Sequence, residues 1–486
     1  MERHLQSMMQ PFLTSLSLSR LCRLLTIVMV ASVLSACATI GEDWSDSNSN
    51  KQTAKNGKYS KSGKAPRVNI DKDSVGALDA PYNDLWDRIR DGFELEDSNS
   101  PLVIKHVRWY ADRPDYVDRM MSRSSRYLFY IVEEVERRKM PMELALLPFI
   151  ESAFNPEAFS RAKASGMWQF MPATGKDFKL TQNIFRDERR DVIQSTDAAL
   201  DYLQRLYKMF GDWELALAAY NWGEGNVSKA IKRNQAKKLP TDYASLKMPD
   251  ETRNYVPKLL AIKNIVTNPK SYGLTLPTLE NHPYFVIVTT EKDIDVDLAA
   301  EFARMTVEEF KAMNPSFNKP VILGASEPQI LLPFGRAESF QENLLQYTGR
   351  LSSWTAIRVA NRETVDQLAT RLDVDANQVR QINNIPKGMR IKAGSTVLIP
   401  RGGKVGDVAE HLANNAGKLM LEREAAAKAK PKTTANNASG SKAKKPASKQ
   451  ASNKQSTNKQ TANNTNKPKP KPQADSKVAA NEKKSN

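Results

Sequence analysis

Residues 145–155 read ALLPFIESAFN, an apolar run from Ala145 to Ile150 that delivers one carboxylate, Glu151, followed by Ser152. Leu144, Leu147 and Phe149 share a side of a helix whose first turn suits Pro141. Pro148 inside the run predicts a kink or a boundary just before Glu151. An acid held against an apolar wall loses hydration when it ionises, so its pKa rises toward neutrality. A carboxylic acid still protonated at pH 7 can protonate a leaving oxygen, as cleavage of a sugar bond requires. Taken alone, Glu151 also reads as a surface acid at a helix end, because Glu is almost never fully buried unless paired.

Working outward, two further strings matter: Gly166 to Met171 (GMWQFM), and Ala219, Tyr220, Asn221 with Gly223. Ser195 or Thr196 suits the cap of a helix in which Ala199, Leu203, Leu206 and Phe210 share a face, closed by Gly211. Asp212 caps the next helix, through Leu215, Ala218 and Ala219, and Gly223 and Gly225 end it near Asn221. Trp86, Ile89, Phe93, Leu128, Ile131 and Val132 fall at helical spacing, and strand-like alternation is scarce from Tyr82 to Ser271. The expectation is a mainly helical domain over 81–275.

Glu151 and Ser152, then Gly166 to Met171, then Ala219 to Asn221 with Gly223, in that order, resemble the lytic murein transglycosylases, specifically the membrane-bound type D group. The likeness runs from Trp86 to Val256 and includes Asp187 to Arg190 and Glu251, Thr252, Arg253 and Tyr255. It implies a lysozyme-like fold of the goose type around a sugar-binding cleft, with Glu151 as the catalytic acid and Ser152 beside it. Met167, Gln169, Tyr220 and Asn221 correspond to substrate-positioning residues, and Tyr255 to a tyrosine of the same site. Trp168 and Trp222 stand where shorter side chains are usual and are assigned packing or sugar stacking. Two-carboxylate glycosidases hold the second acid ~5 Å away when retaining and ~6.5 to 9.5 Å away when inverting. Glu157, Asp177, Asp187 and Glu224 are the acids a fold could bring near. By resemblance no such partner is used: the acid protonates the glycosidic oxygen, then accepts the proton of the substrate's 6-hydroxyl as it closes on C1. The implied product is 1,6-anhydro-N-acetylmuramic acid. A hydrolytic muramidase and an inactive peptidoglycan-binding scaffold remain as alternatives.

After Pro283 the texture changes. Phe285 to Thr289 reads as a strand, Leu298 to Phe310 as helix, Asn314 and Pro315 as a turn, and Ile330 to Leu332 as a strand ending in Pro333. The same order recurs from Thr355 to Pro400, with helices over Val365 to Leu372 and Ala376 to Ile382, then Asn383 and Asn384, and suggests an internal repeat. The two α+β (βααβ) units, 283–335 and 352–401, resemble LysM modules, which implies glycan binding. Asn361 to Thr364 replace the usual Gly-Asp-Thr opening of the second.

The chain of 486 residues has a formal net charge of +17, and 15 Lys against Asp475 and Glu482 beyond residue 427 account for most of it. With almost no large apolar residue after Leu421, the stretch 402–486 is expected to be a disordered Lys-rich tail after a short helix reaching Leu421. Its charge suits anionic wall or lipid groups, and nucleic acid is not an expected partner. At the other end, Arg3, Arg20 and Arg23 precede an apolar stretch from Leu24 to Val33, a signal-peptide pattern over 1–36. Leu34, Ser35, Ala36 and Cys37 resemble a lipobox, which implies an acylated Cys37 and an envelope location. Ala38 after it favours the outer membrane facing the periplasm, and cleavage after Ala38 is the alternative. Residues 37–80 read as a flexible tether. Four scattered His, no metal-binding spacing and no Gly-rich phosphate loop give an expectation of no metal and no cofactor.

Overall fold

The computed structural model describes residues 68–71, 82–402, 407–414 and 417–423. The expected signal segment, Cys37, and the Lys-rich stretch beyond Arg423 lie outside the described residues.

The helical part is built from α1 (Leu85–Asp91), α2 (Pro101–Ala111), α3 (Pro114–Ser124), α4 (Leu128–Arg137), α5 (Leu147–Ser152) and α6 (Pro172–Asp177). It continues through α7 (Val192–Phe210), α8 (Trp213–Trp222), α9 (Glu224–Gln235), α10 (Asp250–Arg253) and α11 (Tyr255–Thr267). α11 packs on α2 and α7 on α8. Val256, Leu259, Ile262 and Val266 of α11 and Leu200, Leu203 and Leu206 of α7 are fully or nearly fully buried, so apolar faces at helical spacing close one core. Buried Lys263 of α11 pairs with Glu143 at 3.1 Å, inside the 3₁₀ turn Met142–Leu146 that leads into α5.

Two expected boundaries are corrected. Pro148 falls in the first turn of α5, where its missing N–H is not needed. The break therefore comes before Leu147, and Glu151 stays helical. The cap of α7 is Asp191, whose carboxylate accepts from Ile193 and Gln194 N–H at 3.1 Å each, while Ser195 and Thr196 lie buried within the helix.

The first α+β unit holds β2 (Phe285–Thr290), β3 (Ile294–Asp295), α12 (Val296–Phe302), α13 (Val307–Met313), β4 (Val321–Ile322) and β5 (Ile330–Pro333). The single helix expected from Leu298 to Phe310 is two, because Thr306 and Glu309 form a capping box that starts α13 afresh. A further helix, α14 (Ala337–Gln346), packs on α12 through buried Phe340 and Leu344, past the expected limit at 335.

The second unit holds β6 (Trp354–Arg358), β7 (Glu363–Thr364), α15 (Val365–Leu372), α16 (Ala376–Asn383), β8 (Met389–Ile391) and β9 (Thr396–Pro400). β2 pairs with β5 and β6 with β9, both antiparallel. The internal repeat extends to single bonds. Asn314 gives its amide to the carbonyls of Phe310 and Leu331 and accepts Leu331 N–H. Asn383 does the same with Val379 and Leu398.

Two flanking expectations are also corrected. Within the stretch read as tether, Val68–Asp71 forms β1, antiparallel to β2 from Val68 opposite Thr290 to Asp71 opposite Ile287. Within the stretch read as tail, α17 (Glu410–Asn414) stops short of Leu421, and β10 (Leu421–Arg423) pairs with β8. Val408, Leu412 and Ala413 are buried in a cluster with Phe185, Val321, Leu323, Ala356 and Leu398. Those apolar side chains are what sequence composition alone undervalues.

Candidate active site

Glu151 occupies the last turn of α5, and the chain leaves that helix at once: Ala153 and Phe154 have φ of 51° and 56°. Left-handed backbone costs a non-glycine residue roughly 1–2 kcal/mol. Here burial of Phe154 against Phe149, ring centroids 4.4 Å apart, offsets it, and Phe154 N–H returns to the Pro148 carbonyl at 3.0 Å. The acid is thereby presented at a rigid helix end.

The Glu151 carboxyl is pushed from 4.5 up to about 7, chiefly by burial and secondarily by the like charge of Glu251; the Tyr255 hydroxyl and Lys258 pull the other way. Tyr255, first residue of α11, donates to Glu151 Oε1 at 2.5 Å. Tyr255 and Tyr220 are both held well above their ordinary 10, first by burial and then by the charge of Glu151. Both stay neutral donors beside an acid that titrates near neutrality.

Gln169, Phe170, Met171, Thr174, Tyr202, Tyr220, Asn221, Trp222 and Gly223 line a pocket of about 220 Å³. α8 supplies Tyr220 and Asn221 at its exit, and Gly223 (φ 93°) makes the turn that ends it. The Tyr220 hydroxyl donates to the Trp168 carbonyl at 2.9 Å. Asn221 Oδ1 accepts from the Thr252 hydroxyl at 2.7 Å, which orients its carboxamide. Gln169 sits at φ 51°, its amide donating to the Gly166 carbonyl at 2.8 Å.

Ser152 and Met167, both expected at the cleft, spend their groups on the protein itself. Met167 is 1 % exposed, so its side chain belongs to the core. The Ser152 hydroxyl donates to the Met167 carbonyl at 2.9 Å and accepts Asn155 N–H, stitching α5 to the Gly166–Phe170 loop. Trp168 is fully buried with its indole N–H on Thr196, a packing role, whereas Trp222 lines the pocket. Phe170 and Met171 were quoted within the Gly166 to Met171 string without a role, and Thr174 and Tyr202 were not singled out by sequence reasoning; for Tyr202 the signal was its place on α7 beside the Ala199, Leu203 and Leu206 stripe.

Of the four acids considered as second carboxylates, Asp187 is tied to Arg189 at 2.7 Å. Burial raises Glu224, but its own backbone N–H, the Tyr202 hydroxyl and Arg205 outweigh that and hold it below the ordinary range. Asp177 and Glu157 are exposed, Glu157 beside a separate pocket with Arg123 and Arg126. The carboxylate that acts on Glu151 is Glu251, on α10.

Over 359 residues the chain is 37 % identical to the membrane-bound lytic murein transglycosylase D of Escherichia coli, covering 71 % of this chain and 78 % of that protein. The chain belongs to this family. As a member of it, the protein is a peptidoglycan lytic transglycosylase, a lyase. The Transglycosylase SLT domain family matches residues 130–241, which span the acid and the pocket, and the Lytic transglycosylase MltD, LysM-like domain family matches 284–348. The second match includes α14. A tributyltin chloride resistance protein of Alteromonas, named as putative, is 38 % identical over 40 % of this chain and 90 % of its own length. Among solved structures, the 70 kDa soluble lytic transglycosylase of Escherichia coli aligns over 29 % of this chain and 23 % of its own, at 27 % identity and a TM-score of 0.22. By the two family matches and the element order, the chain joins a helical transglycosylase domain to α+β LysM-like units.

Proposed function

We propose that this enzyme cleaves the β-1,4 bond between N-acetylmuramic acid and N-acetylglucosamine without water, using Glu151 first as acid and then as base. The observation that carries the reading is the Glu151 carboxyl, raised to about 7 by burial and bonded by Tyr255. At neutral pH it can give its proton to the glycosidic oxygen and, once ionised, take one back. The base step is served by Tyr255, whose O–H stabilises the carboxylate that the first step creates. The sugar's own 6-hydroxyl, held at C1, replaces water as nucleophile through effective molarity. Gln169, Tyr220 and Asn221 line the pocket that seats the sugar and supply polar contacts to it. Ser152 and Met167 support that wall from behind, through the bond between them.

Digestion of purified sacculi, with mass analysis of the products, tests this reading. Anhydro-ended muropeptides are expected, and Glu151→Gln is expected to lower the rate by about 10²–10⁴-fold or more. Reducing ends would instead mean that water attacks, as in a hydrolytic muramidase.

The envelope reading completes the proposal. Cys37 is proposed to carry the lipid that anchors the chain on the outer membrane facing the periplasm, with the LysM-like units holding glycan strands near the cleft. Among the described residues no helix is long and apolar enough to cross a membrane. Cys37→Ser is expected to move the protein from the membrane to the soluble fraction; unchanged partitioning would refute the anchor.

A further inference from the structure

Arg189 is 5 % exposed and uses both edges of its guanidinium. Nε and Nη2 donate to the Asp187 carboxylate at 2.9 and 2.7 Å. Nη1 donates to the Lys163 carbonyl at 2.7 Å and to the Phe170 carbonyl at 3.2 Å. Those two carbonyls are the ends of the loop that carries Gly166 and Gln169. The backbone fits as closely. A Cβ on Gly166 (φ +85°) would stand 1.7 Å from the Arg189 carbonyl oxygen, and one on Gly175 would stand 3.1 Å from the Arg189 side-chain stem. Arg189 is thus clasped between two glycines, and the loop it ties includes Gln169 in a left-handed conformation that persists only where its surroundings fix it.

The brace rests in turn on the first LysM-like unit. Asp187 N–H donates to the Ser316 carbonyl at 2.9 Å, and Asn318 N–H donates to the Phe185 carbonyl at 2.6 Å. Phe185 is buried with Val321 and Leu323 of that unit.

We propose that Arg189 is a positioning residue for glycan binding, setting Gln169 through the 163–170 loop, and that the first LysM-like unit holds this brace in place. The proposal rests on the reading of the Gln169 and Asn221 pocket as the glycan site. Arg is required because a Lys ammonium, a single point donor, cannot serve a carboxylate edge and two carbonyls together.

The test is a double-mutant cycle in the full chain on soluble glycan strands, with Arg189→Lys, Gln169→Ala and both together. Arg189→Lys is expected to raise KM about ten-fold with little change in kcat, and to add nothing once Gln169 is Ala, as coupled residues do. The basic limb of the pH profile is expected to stay in place, because Glu151 lies on α5. Should Arg189→Lys fail to fold, Asp187→Asn, which releases one edge of the guanidinium, is expected to show the same split. An effect that simply adds to that of Gln169→Ala, or an unmoved KM, overturns the brace alone. A KM untouched by Gln169→Ala itself overturns the pocket reading and the brace with it.

Discussion

At the Tyr255 hydroxyl and the Glu151 carboxylate, 2.5 Å apart, the proposed chemistry becomes measurable. A hydrogen bond to a charged group is worth about 1.5–3 kcal/mol, and one pKa unit is 1.36 kcal/mol. Tyr255→Phe removes a donor that favours the ionised acid, so the basic limb of the pH–rate profile is expected to move up by about one to two units. A limb that stays or moves down would contradict the assignment. Stability carries an independent signature. A carboxyl raised from 4.5 to about 7 makes the native state hold its proton more tightly than the unfolded chain, so stability is lost as pH rises through that window. Glu151→Gln is therefore expected to melt higher than the parent at pH 8 and at nearly the same temperature at pH 4, checked by calorimetry at both. Much of this site was legible: Glu151 announced itself by the apolar run before it, and Tyr220 and Asn221 by the glycines that end their helix. The bond between Ser152 and Met167 was not legible, because a string of residues does not show which atoms face inward; one spends its hydroxyl on the other's carbonyl. Glu251 was quoted without a role, since its influence on Glu151 needs α10 to fold back.

The two asparagines, Asn314 and Asn383, define the α+β element better than its strands do. Each bridges the end of a helix to the last strand through two donated bonds and one accepted. Asn383→Ala would leave the buried N–H and carbonyl of Leu398 unpartnered, and each such group costs about 1–3 kcal/mol. A loss of about 2–4 kcal/mol for the second unit is expected in urea melts, and Asn383→Asp, which loses both donors, is expected to do no better. A neutral result would remove the bracket from the account. The outer strands of both units, and helix between them, could be read in advance because apolar periodicity switches sharply after Pro283; the short strands β3, β4, β7 and β8 could not. Helix boundaries could not, where a cap decided them: Thr306 restarts α13, and Asp191 starts α7 three residues before Gln194.

Across the whole described body, one buried carboxylate joins three stretches of chain. Asp293 accepts Gly324 N–H at 3.0 Å and Val408 N–H at 2.7 Å, and it pairs with Arg401 at 3.1 Å. Burial raises it, but only to about 6, so it is ionised at pH 7. Asp293→Ala would leave Arg401 with Asp407 as its remaining carboxylate, at 3.0 Å, and the N–H groups of Gly324 and Val408 without their acceptor, a loss of about 1–3 kcal/mol for each unsatisfied group. Trypsin is expected to cut after Arg401 much sooner in that variant; an unchanged digestion pattern would show that the pair does not hold the segment. Composition pointed away from order here, because a Lys-rich end masks the few apolar side chains, Val408 and Leu412 among them, that seat its first part. The opposite flank has a mechanical corollary. Because Val68–Asp71 lies along β2 in antiparallel register, tension applied upstream of Val68 runs lengthwise through hydrogen bonds loaded in shear and into the Phe285–Thr290 strand. The murein-cutting groove, threaded between these two strands in sequence, is spared that pull.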